Sequence, residues 1–235
     1  MTALHLIPVN LSPAPYENWL PEAARQQAAG LQIYIAENAK TARAFLKSIG
    51  TTIALQEITI HTLKADTPTH EIQAWLRAVP PDQDIGLVSE AGCPAVADPG
   101  ATVVAQAHQL GLRVHPWTGP SSIMLGLMAS GLEGQRFAFH GYAPVKPEQR
   151  DAQLRAWEAV SHKQNQTQIL IETPYRNEAL FEALLRTLRE ATQLCVASAL
   201  TDEGEWVRTL SIDQWRKAAA PAFARKPTLF LYLAR

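Results

Sequence analysis

The chain has 235 residues, of which 47% are hydrophobic, and a formal net charge of −1. This length and apolar content suit one large or two small globular domains, and the charge excludes the strongly basic character of a protein that coats nucleic acid. The two cysteines, Cys93 and Cys195, are too few for a secreted disulfide scaffold and match no metal-ligand spacing, so we expect no metal site. No stretch approaches the roughly 20 apolar residues of a membrane span, and residues 1–8 lack the charged region of a signal peptide. We therefore expect a soluble, cytoplasmic protein.

The first half of the sequence alternates predicted strands with predicted helices. Each strand is a short apolar run bounded by turn residues, and the helices show apolar residues at helical spacing or end at a glycine. Such alternation predicts a parallel sheet with helical crossovers. The predicted strands are 4–9, 31–36, 58–60, 85–88 and 112–116, and the predicted helices are 19–29, 39–48, 68–79 and 99–110.

Residues 84–100 are the most informative stretch of this half. Ile85 to Val88 is an apolar run that predicts a buried strand, and a loop with glycine and proline follows at its carboxyl end. Ligands bind at that end of the strands in open α/β sheets. Asp98 is predicted to cap a helix whose first residue is Pro99. An ordinary strand-to-helix connection would show the same pattern.

The second half has strands that follow one another more often without long helices, which predicts a mixed sheet. It opens with Ser121 and Ser122 in the first turn of a helix that is apolar nearly all round, which predicts a buried helix. The two serines can hold a polar ligand group or merely cap the helix. We place the domain boundary after Trp117, so that the predicted domains are 1–117 and 118–235. The predicted strands are 136–141, 168–172, 194–200, 205–210 and 227–233, and the predicted helices are 147–161, 177–189 and a short one capped by Ser211.

Five stretches, in the same order, resemble the tetrapyrrole methylase superfamily, and in particular its ribosomal RNA branch (small subunit 2′-O-ribose methyltransferase I). That branch has a Val-Ser-Asp-Ala-Gly-Thr-Pro loop followed by Asp-Pro-Gly. The other four family patterns are a Pro-Gly-Pro-Ser/Cys-Ala turn, a Phe-x-x-x-Gly-Phe-x-Pro segment, a Tyr-Glu-Ser-x-His-Arg strand end and a final Gly-Glu-x-Val strand. The corresponding stretches here are Val88-Ser-Glu-Ala-Gly-Cys-Pro94 with 98–100, Thr118-Gly-Pro-Ser-Ser122, 137–144, Ile171-Glu-Thr-Pro-Tyr-Arg176 and Lys226-Pro-Thr-Leu-Phe-Leu231.

The resemblance implies an S-adenosylmethionine-dependent methyltransferase of two α/β domains. The first domain would have a mostly parallel sheet and the second a mixed sheet, with the cofactor cleft between them. The family also implies a homodimer, ribosomal RNA or the small ribosomal subunit as partner, and a ribose 2′-hydroxyl as methyl acceptor. Carried over by position, the cofactor-binding residues are Leu87, Ser89, Glu90, Ala91, Gly92, Ser121, Ser122, Tyr142, Ala199, Thr201, Pro227 and Thr228.

The sequence departs from the ribosomal RNA branch where that branch meets its acceptor. Residues 8–13 lack the glycine of its Pro-x-Gly-Asn loop, and Glu37-Asn38-Ala39-Lys40 stands in place of its Glu-Asp-Thr-Arg. Asn38 has an amide that does not titrate, and Lys40 keeps a positive charge without the planar fork of arginine. A hydroxyl acceptor must lose its proton to a base. The candidate catalytic residues are Glu37, Lys40 and Glu90, with His61 as a further candidate base.

Two classes of function stay open. The first is an active methyltransferase, on RNA or, alternatively, on a small molecule or tetrapyrrole. The second is a relative that binds S-adenosylmethionine without transferring a methyl group and acts as a sensor or interaction module. Lys40, Arg43 and Lys47 fall on one side of a predicted helix and can either guide a phosphate backbone or form a solvated face. A dehydrogenase is disfavoured because no Gly-x-Gly-x-x-Gly opens a helix after a strand.

Overall fold

A computed structural model describes residues 2–223 and 225–235. The chain forms two compact units, Met1–Ser121 and Ser122–Arg235, whereas the boundary predicted from the sequence lies after Trp117. Each unit is built on a five-stranded sheet with helices, so the predicted two-domain α/β architecture is confirmed. Within the described residues, no helix is long and apolar enough to cross a membrane.

The sheet of the first unit has the strand order β3-β2-β4-β1-β5, and all its pairings are parallel, as predicted. All four residues of β4, its central strand, are buried. The first strand is shorter than predicted because Val9 leaves the sheet and pairs antiparallel with Gly92 instead. The strands are β1 Ala3–Leu6, β2 Ile33–Ala36, β3 Thr59–Thr62, β4 Ile85–Val88 and β5 Arg113–Pro116; the helices are α1 Glu22–Gly30, α2 Ala39–Ser48, α3 Thr69–Ala78 and α4 Gly100–Gln109.

Local capping signals set where these helices begin. The side chain of Asn38 accepts a hydrogen bond from the Lys40 amide and caps α2. Asp98 accepts one from the Gly100 amide at 2.6 Å, and Pro99 already has helical dihedral angles, so the predicted cap of α4 is confirmed. The helix predicted at 19–29 is present, but it begins at Glu22 and not at Trp19. A 3-10 turn at Tyr16–Asn18 comes first, and α1 begins after Pro21, which lacks an N–H and so favours a helix start.

Alternate residues along each strand of the first unit face opposite layers of the core. Tyr34 packs in the layer that includes α1 and α2, while Ile33 and Ile35 pack in the layer formed with α3 and α4. Successive side chains of a strand point to opposite faces of its sheet. The sheet is therefore covered on both faces, and its open edge is formed by the strand ends and loops.

The sheet of the second unit has the order β6-β7-β10-β8-β9, with β6 parallel to β7 and the other pairings antiparallel. The predicted mixed sheet is thus confirmed. Ser211 caps α8 in a reciprocal pair with Gln214, as the sequence predicts. The strands are β6 Phe137–Tyr142, β7 Thr167–Glu172, β8 Gln193–Ser198, β9 Trp206–Ser211 and β10 Thr228–Leu233; the helices are α5 Ser122–Ser130, α6 Pro147–Gln164, α7 Asn177–Thr187 and α8 Ile212–Lys217.

Helix α5 is not buried all round, contrary to the prediction. Gly126 and Leu127 lie against the sheet and are buried, but Met124 and Met128 are 46% and 77% exposed. A helix that packs on one face of a sheet covers only one side of itself. An apolar composition on every side therefore does not by itself bury a helix.

Candidate functional site

A cleft of about 590 Å³ lies in the first unit near the carboxyl ends of its strands. It is bounded by the loop after β1, by one side of α2 and by the loop after β4. Its volume falls within the range of about 300–1,000 Å³ that is typical of small-molecule sites. Its lining includes Tyr16, Glu17, Trp19, Phe45, Ser89 and Glu90.

The loop after β4 is tied to the loop after β1. Val9 and Gly92 exchange two backbone hydrogen bonds, of 2.9 and 3.2 Å. Gly92 has a φ of +70°, and a Cβ there would lie 3.3 Å from the Pro120 carbonyl oxygen, so the position requires glycine. Ser89, which is buried, directs its hydroxyl toward the carbonyls of Ala91 and Gly92 at 3.3 and 3.4 Å. The predicted cofactor residues of this loop therefore form one ordered turn.

Leu87 and Ser121 flank this turn in different ways. Leu87 is 1% exposed, and its side chain packs in the core beneath the loop. Ser121 lies two residues after Gly119 in the sequence. The Cα of Gly119 is so close to Pro8 that a Cβ there would overlap the proline ring. The loop after β5 is thereby also held against the loop after β1.

Three carboxylates come together at the ends of β2 and β4. Glu37 accepts a hydrogen bond from the Glu90 backbone N–H, and its pKa is raised by burial and by the nearby charges of Asp98 and Glu90. Burial also raises the pKa of Asp98, and its Oδ2 atom has no partner among the described residues. The Glu90 carboxylate accepts a hydrogen bond of 2.6 Å from the Thr41 hydroxyl. No group of three or more potential metal-ligating side chains in the described ranges is arranged to hold a metal ion.

The remaining acceptor-end candidates lie in different surroundings. Asn38 is engaged in capping α2, and Lys40 is exposed on that helix. His61 lies in β3 and stacks on Trp75 with ring centroids 5.0 Å apart, and burial lowers its pKa. Neither His61 nor Glu37 lines the cleft, but the Glu37 carboxylate accepts a hydrogen bond from the backbone of Glu90, which does line it. Glu37 and Glu90 are therefore the candidate bases that the structure brings together.

In the second unit, the predicted residues cluster where β8 ends and β10 begins. Because these strands are antiparallel, Thr228 pairs with Ser198, and the Ala199 amide donates to the Pro227 carbonyl at 2.9 Å. Ala199 and Thr201 have φ values of +53° and +71°. A β-branched residue in this left-handed region is rare and is concentrated at functional sites.

The other two predicted residues of this unit lie at the ends of their elements. Tyr142 is the last residue of β6 and is 53% exposed. Ser122 is the first residue of α5 and is partly buried. Both side chains are thus accessible at element termini, where a polar ligand can be bound.

Sequence reasoning missed a buried polar cluster beside Thr228. Asn177 is fully buried and donates to the Lys226 carbonyl at 2.8 Å and to the Thr228 hydroxyl at 3.1 Å. Its Oδ1 atom has no partner among the residues that the structure describes. Ser198 lies 3.0 Å from the same hydroxyl. The only local signal was an asparagine at the start of a helix, which ordinarily indicates nothing more than a cap.

Sequence reasoning also missed the aromatic side of the first-unit cleft. The sequence patterns predict no functional role for Tyr16, Trp19 or Phe45. The structure brings all three to the cleft lining, together with Thr41. They come from a loop and a helix separated by more than twenty residues in sequence, so no local pattern indicates their proximity.

No family model matches the sequence. The chain is 32% identical over 186 residues to the ribosomal RNA small subunit methyltransferase I of Mesorhizobium japonicum, a match that spans 79% of this chain and 60% of that protein. The chain spans less than two thirds of the length of the first curated relatives that it matches. The predicted resemblance to the ribosomal RNA branch is confirmed by this similarity.

Two solved methyltransferase structures resemble this chain along nearly its whole length. The first is uroporphyrin-III C-methyltransferase from Thermus thermophilus, with a TM-score of 0.53, 16% identity and coverage of 98% of this chain and 91% of that chain. The second is the methyltransferase CobJ, with a TM-score of 0.61, 14% identity and coverage of 98% and 92%. At this identity the likeness shows the fold alone.

Proposed function

We propose that this chain, a relative of the ribosomal RNA small subunit methyltransferases I with a tetrapyrrole methyltransferase fold, transfers a methyl group from S-adenosylmethionine to RNA. The observation that carries the proposal is the similarity to a ribosomal RNA methyltransferase over 79% of the chain. Ribosomal RNA and its ribose 2′-hydroxyl are the proposed substrate and acceptor. A homodimer and a cytoplasmic location, both implied by the family resemblance, belong to the same proposal.

The residues present fit S-adenosylmethionine, which when bound supplies an electrophilic methyl group on its sulfonium. In the first unit, the turn at 89–92 and Ser121 offer hydroxyls and backbone groups to polar parts of the cofactor, above Leu87. In the second unit, two features support the proposed cofactor contacts: the Oδ1 of Asn177, which has no partner among the described residues, and the left-handed backbone at Ala199 and Thr201. The proposed second-unit contacts are Ser122, Tyr142, Ala199, Thr201, Pro227 and Thr228.

Glu37 is the proposed base that removes the acceptor proton. A carboxylate becomes a stronger base as its pKa rises toward the working pH, and burial together with Asp98 and Glu90 raises the pKa of Glu37. Glu90 is less suited because the Thr41 hydroxyl already engages its carboxylate. Lys40, exposed at the start of α2, is proposed to contact an RNA phosphate.

A second candidate function is binding of S-adenosylmethionine without methyl transfer. It is favoured by Asn38, which stands where the ribosomal RNA branch has an acid and whose side chain caps α2. Such a protein would bind the cofactor as a sensor or interaction module. Substituting Asn38→Asp together with Lys40→Arg separates the two functions, because a gain of RNA methylation would show that only the acceptor end limits activity.

The first test is calorimetric titration of S-adenosylmethionine into the full chain. We expect micromolar binding that Ser89→Trp abolishes, because the indole would fill the turn after β4. The matched control is Gln109→Trp, at an exposed position at the end of α4, which should bind normally. Binding together with methyl transfer to ribosomal RNA supports the enzyme, and binding without transfer supports the sensor. No binding by the native chain would rule out both.

A further inference from the structure

The cleft of the first unit combines aromatic rings with carboxylates. Among the described residues that line it, none is a lysine, an arginine or a histidine. We propose that this cleft binds a linear aliphatic diamine or polyamine, with one ammonium group at Glu17, another at Glu90 and the alkyl chain against the rings. This binding site goes beyond the proposed methyl transfer and does not depend on it.

The charged side chains of the lining are both carboxylates, and they come from different walls of the cleft. Glu17 lies in the 3-10 turn between β1 and α1, and Glu90 lies in the loop after β4. Both are exposed, and in the part of the chain that the structure describes neither forms an ion pair with a lysine or an arginine. Two such carboxylates attract a ligand with two positive charges and repel an anion.

Neutral hydroxyls hold these carboxylates in place. The Thr41 hydroxyl donates to the Glu90 carboxylate at 2.6 Å. A hydrogen bond to the Glu17 carboxylate raises the pKa of Tyr16, since it stabilises the protonated hydroxyl. An ionised carboxylate has about four acceptor positions, and an ammonium group has only donors. Each carboxylate therefore keeps acceptor positions for an amine.

The surroundings of Glu90 add to the negative potential of the cleft. The Glu90 backbone N–H donates to the Glu37 carboxylate, which lies behind the lining. Burial and the charges of Asp98 and Glu90 raise the pKa of Glu37. A cation bound at Glu90 would offset this repulsion, so the carboxylates behind the cleft also favour its binding.

Fixed aromatic rings supply the apolar part of the lining. Trp19 is held by a hydrogen bond from its indole N–H to the Ala14 carbonyl at 3.2 Å. Its ring centroid lies 6.3 Å from that of Phe45, with an interplanar angle of 35°. Aromatic faces attract ammonium groups, and tryptophan does so most strongly. The same faces cover the methylene groups of an alkylamine.

The Tyr16 ring already lies beside a cation. The Arg25 guanidinium is 5.8 Å from the centre of that ring. This arginine does not neutralise the cleft, because its guanidinium donates two hydrogen bonds to the Glu22 carboxylate, at 2.6 and 2.7 Å, and one to the Ile49 carbonyl at 3.0 Å. The cleft thus keeps its negative charge.

The first test is calorimetric titration of 1,4-diaminobutane and of butylamine into the full chain. The two amines have the same alkyl chain, and only the diamine can reach both carboxylates. We expect the diamine to bind about tenfold more tightly, the lower end for one added hydrogen bond between charged groups. Glu17→Gln and Glu90→Gln should each abolish this difference, whereas Glu57→Gln, an exposed control outside the lining, should keep it.

The second test locates the diamine by tryptophan fluorescence. Binding should change the emission of the native chain, and Trp19→Phe should lose most of that change. The affinity of this variant should fall by about threefold, because phenylalanine attracts cations less than tryptophan does. The matched control is Trp75→Phe, whose indole stacks on His61 outside the lining, and it should keep both the emission change and the affinity.

Three outcomes would overturn the inference. They are equal affinities of the native chain for the diamine and the monoamine, tighter binding of a tripeptide with one lysine than of the diamine, and complete displacement of the diamine by saturating S-adenosylmethionine. The last result would assign the anionic cleft to the cofactor. Diamine binding by a chain that fails to bind S-adenosylmethionine would instead support this inference and contradict only the proposed function.

Discussion

The two sheets bring polar side chains together by different means. In the first unit every strand is parallel, so Glu37 after β2 and Glu90 after β4 meet because both follow a strand. In the second unit β10 is antiparallel to β8, so Thr228 at the start of one strand meets Ser198 at the end of the other. A search for polar residues after strands therefore finds those that a parallel sheet brings to one edge, but it covers only half of such an edge in a mixed sheet.

The two edges also differ in their electrostatics. The first carries carboxylates whose pKa values are raised by burial and by one another, as at Glu37 and Asp98. At the second edge, Asn177, Ser198 and Thr228 are linked by hydrogen bonds, and the carboxylates of Glu172 and Asp202 form ion pairs with Arg176 and Lys226. The first edge thus offers carboxylates with raised pKa values, whereas the second offers neutral groups and paired charges. The following changes test that difference.

The largest effect is expected for Glu37→Gln in the first unit. Loss of a general base typically costs about 10²–10⁴-fold in rate. Because the pKa of Glu37 is raised, the native rate should increase with pH along a limb that lies above the usual glutamate range, and this limb should be absent in the variant. Initial rates of methyl transfer across pH provide the measurement.

The control for that experiment is Glu178→Gln, an exposed position on α7, which should keep the native rate and pH profile. Full activity of Glu37→Gln would exclude Glu37 as the base.

The free energy of unfolding of the same variant supplies an independent check. The ionised form of Glu37 is disfavoured in the fold, so the variant should be more stable than the native chain at neutral pH. That advantage should disappear below the usual glutamate range.

A glycine in the parallel sheet should be hard to replace. Gly86 in β4 pairs with Tyr34 in β2, and a Cβ there would overlap the buried tyrosine ring. Gly86→Ala should lower the free energy of unfolding by about 3 kcal/mol, the upper end for overpacked cores. Chemical denaturation provides the measurement. Gly126→Ala in α5 of the other unit, where the Cβ meets ordinary contacts from 3.4 Å outward, should be neutral or stabilising. Equal losses in both variants would contradict this account.

Removing the neutral cluster of the second unit should cost somewhat less. Asn177→Ala removes two buried hydrogen bonds, to the Lys226 carbonyl and to the Thr228 hydroxyl, which should lower the free energy of unfolding by about 2 kcal/mol. The proposed cofactor affinity should fall as well, because Thr228 loses a side chain that positions it. Glu178→Ala, the next residue along α7, is exposed and should change neither quantity. Unchanged stability in Asn177→Ala would show that water replaces the lost donor.

The smallest changes in stability are expected for the loss of one helix cap in each unit. Asn38→Ala and Ser211→Ala should each lower the free energy of unfolding by about 1 kcal/mol, the usual value for a lost N-cap. Asn38→Asp should keep native stability, because aspartate caps equally well. A large loss in Asn38→Asp would mean that the added charge, and not the cap, dominates at this position. Thermal unfolding followed by circular dichroism is sufficient for all three variants.

The sequence alone determined the features that depend on neighbours along the chain. The strand at 85–88 and the caps at Asp98 and Ser211 were all predicted, because each is a local property of dihedral angles and backbone hydrogen bonds. The ordered motifs likewise indicated the fold and the relationship to ribosomal RNA methyltransferases.

Tertiary structure decided what depends on residues far apart in the chain. Asn177 reaches Thr228 across 51 positions, and Glu90 reaches Thr41 across 49. The pKa of Glu37 is raised by burial and by Asp98, and Met128 is exposed because the sheet covers only one side of α5. Burial and proximity are properties of the folded chain, and no local pattern of residue types encodes them.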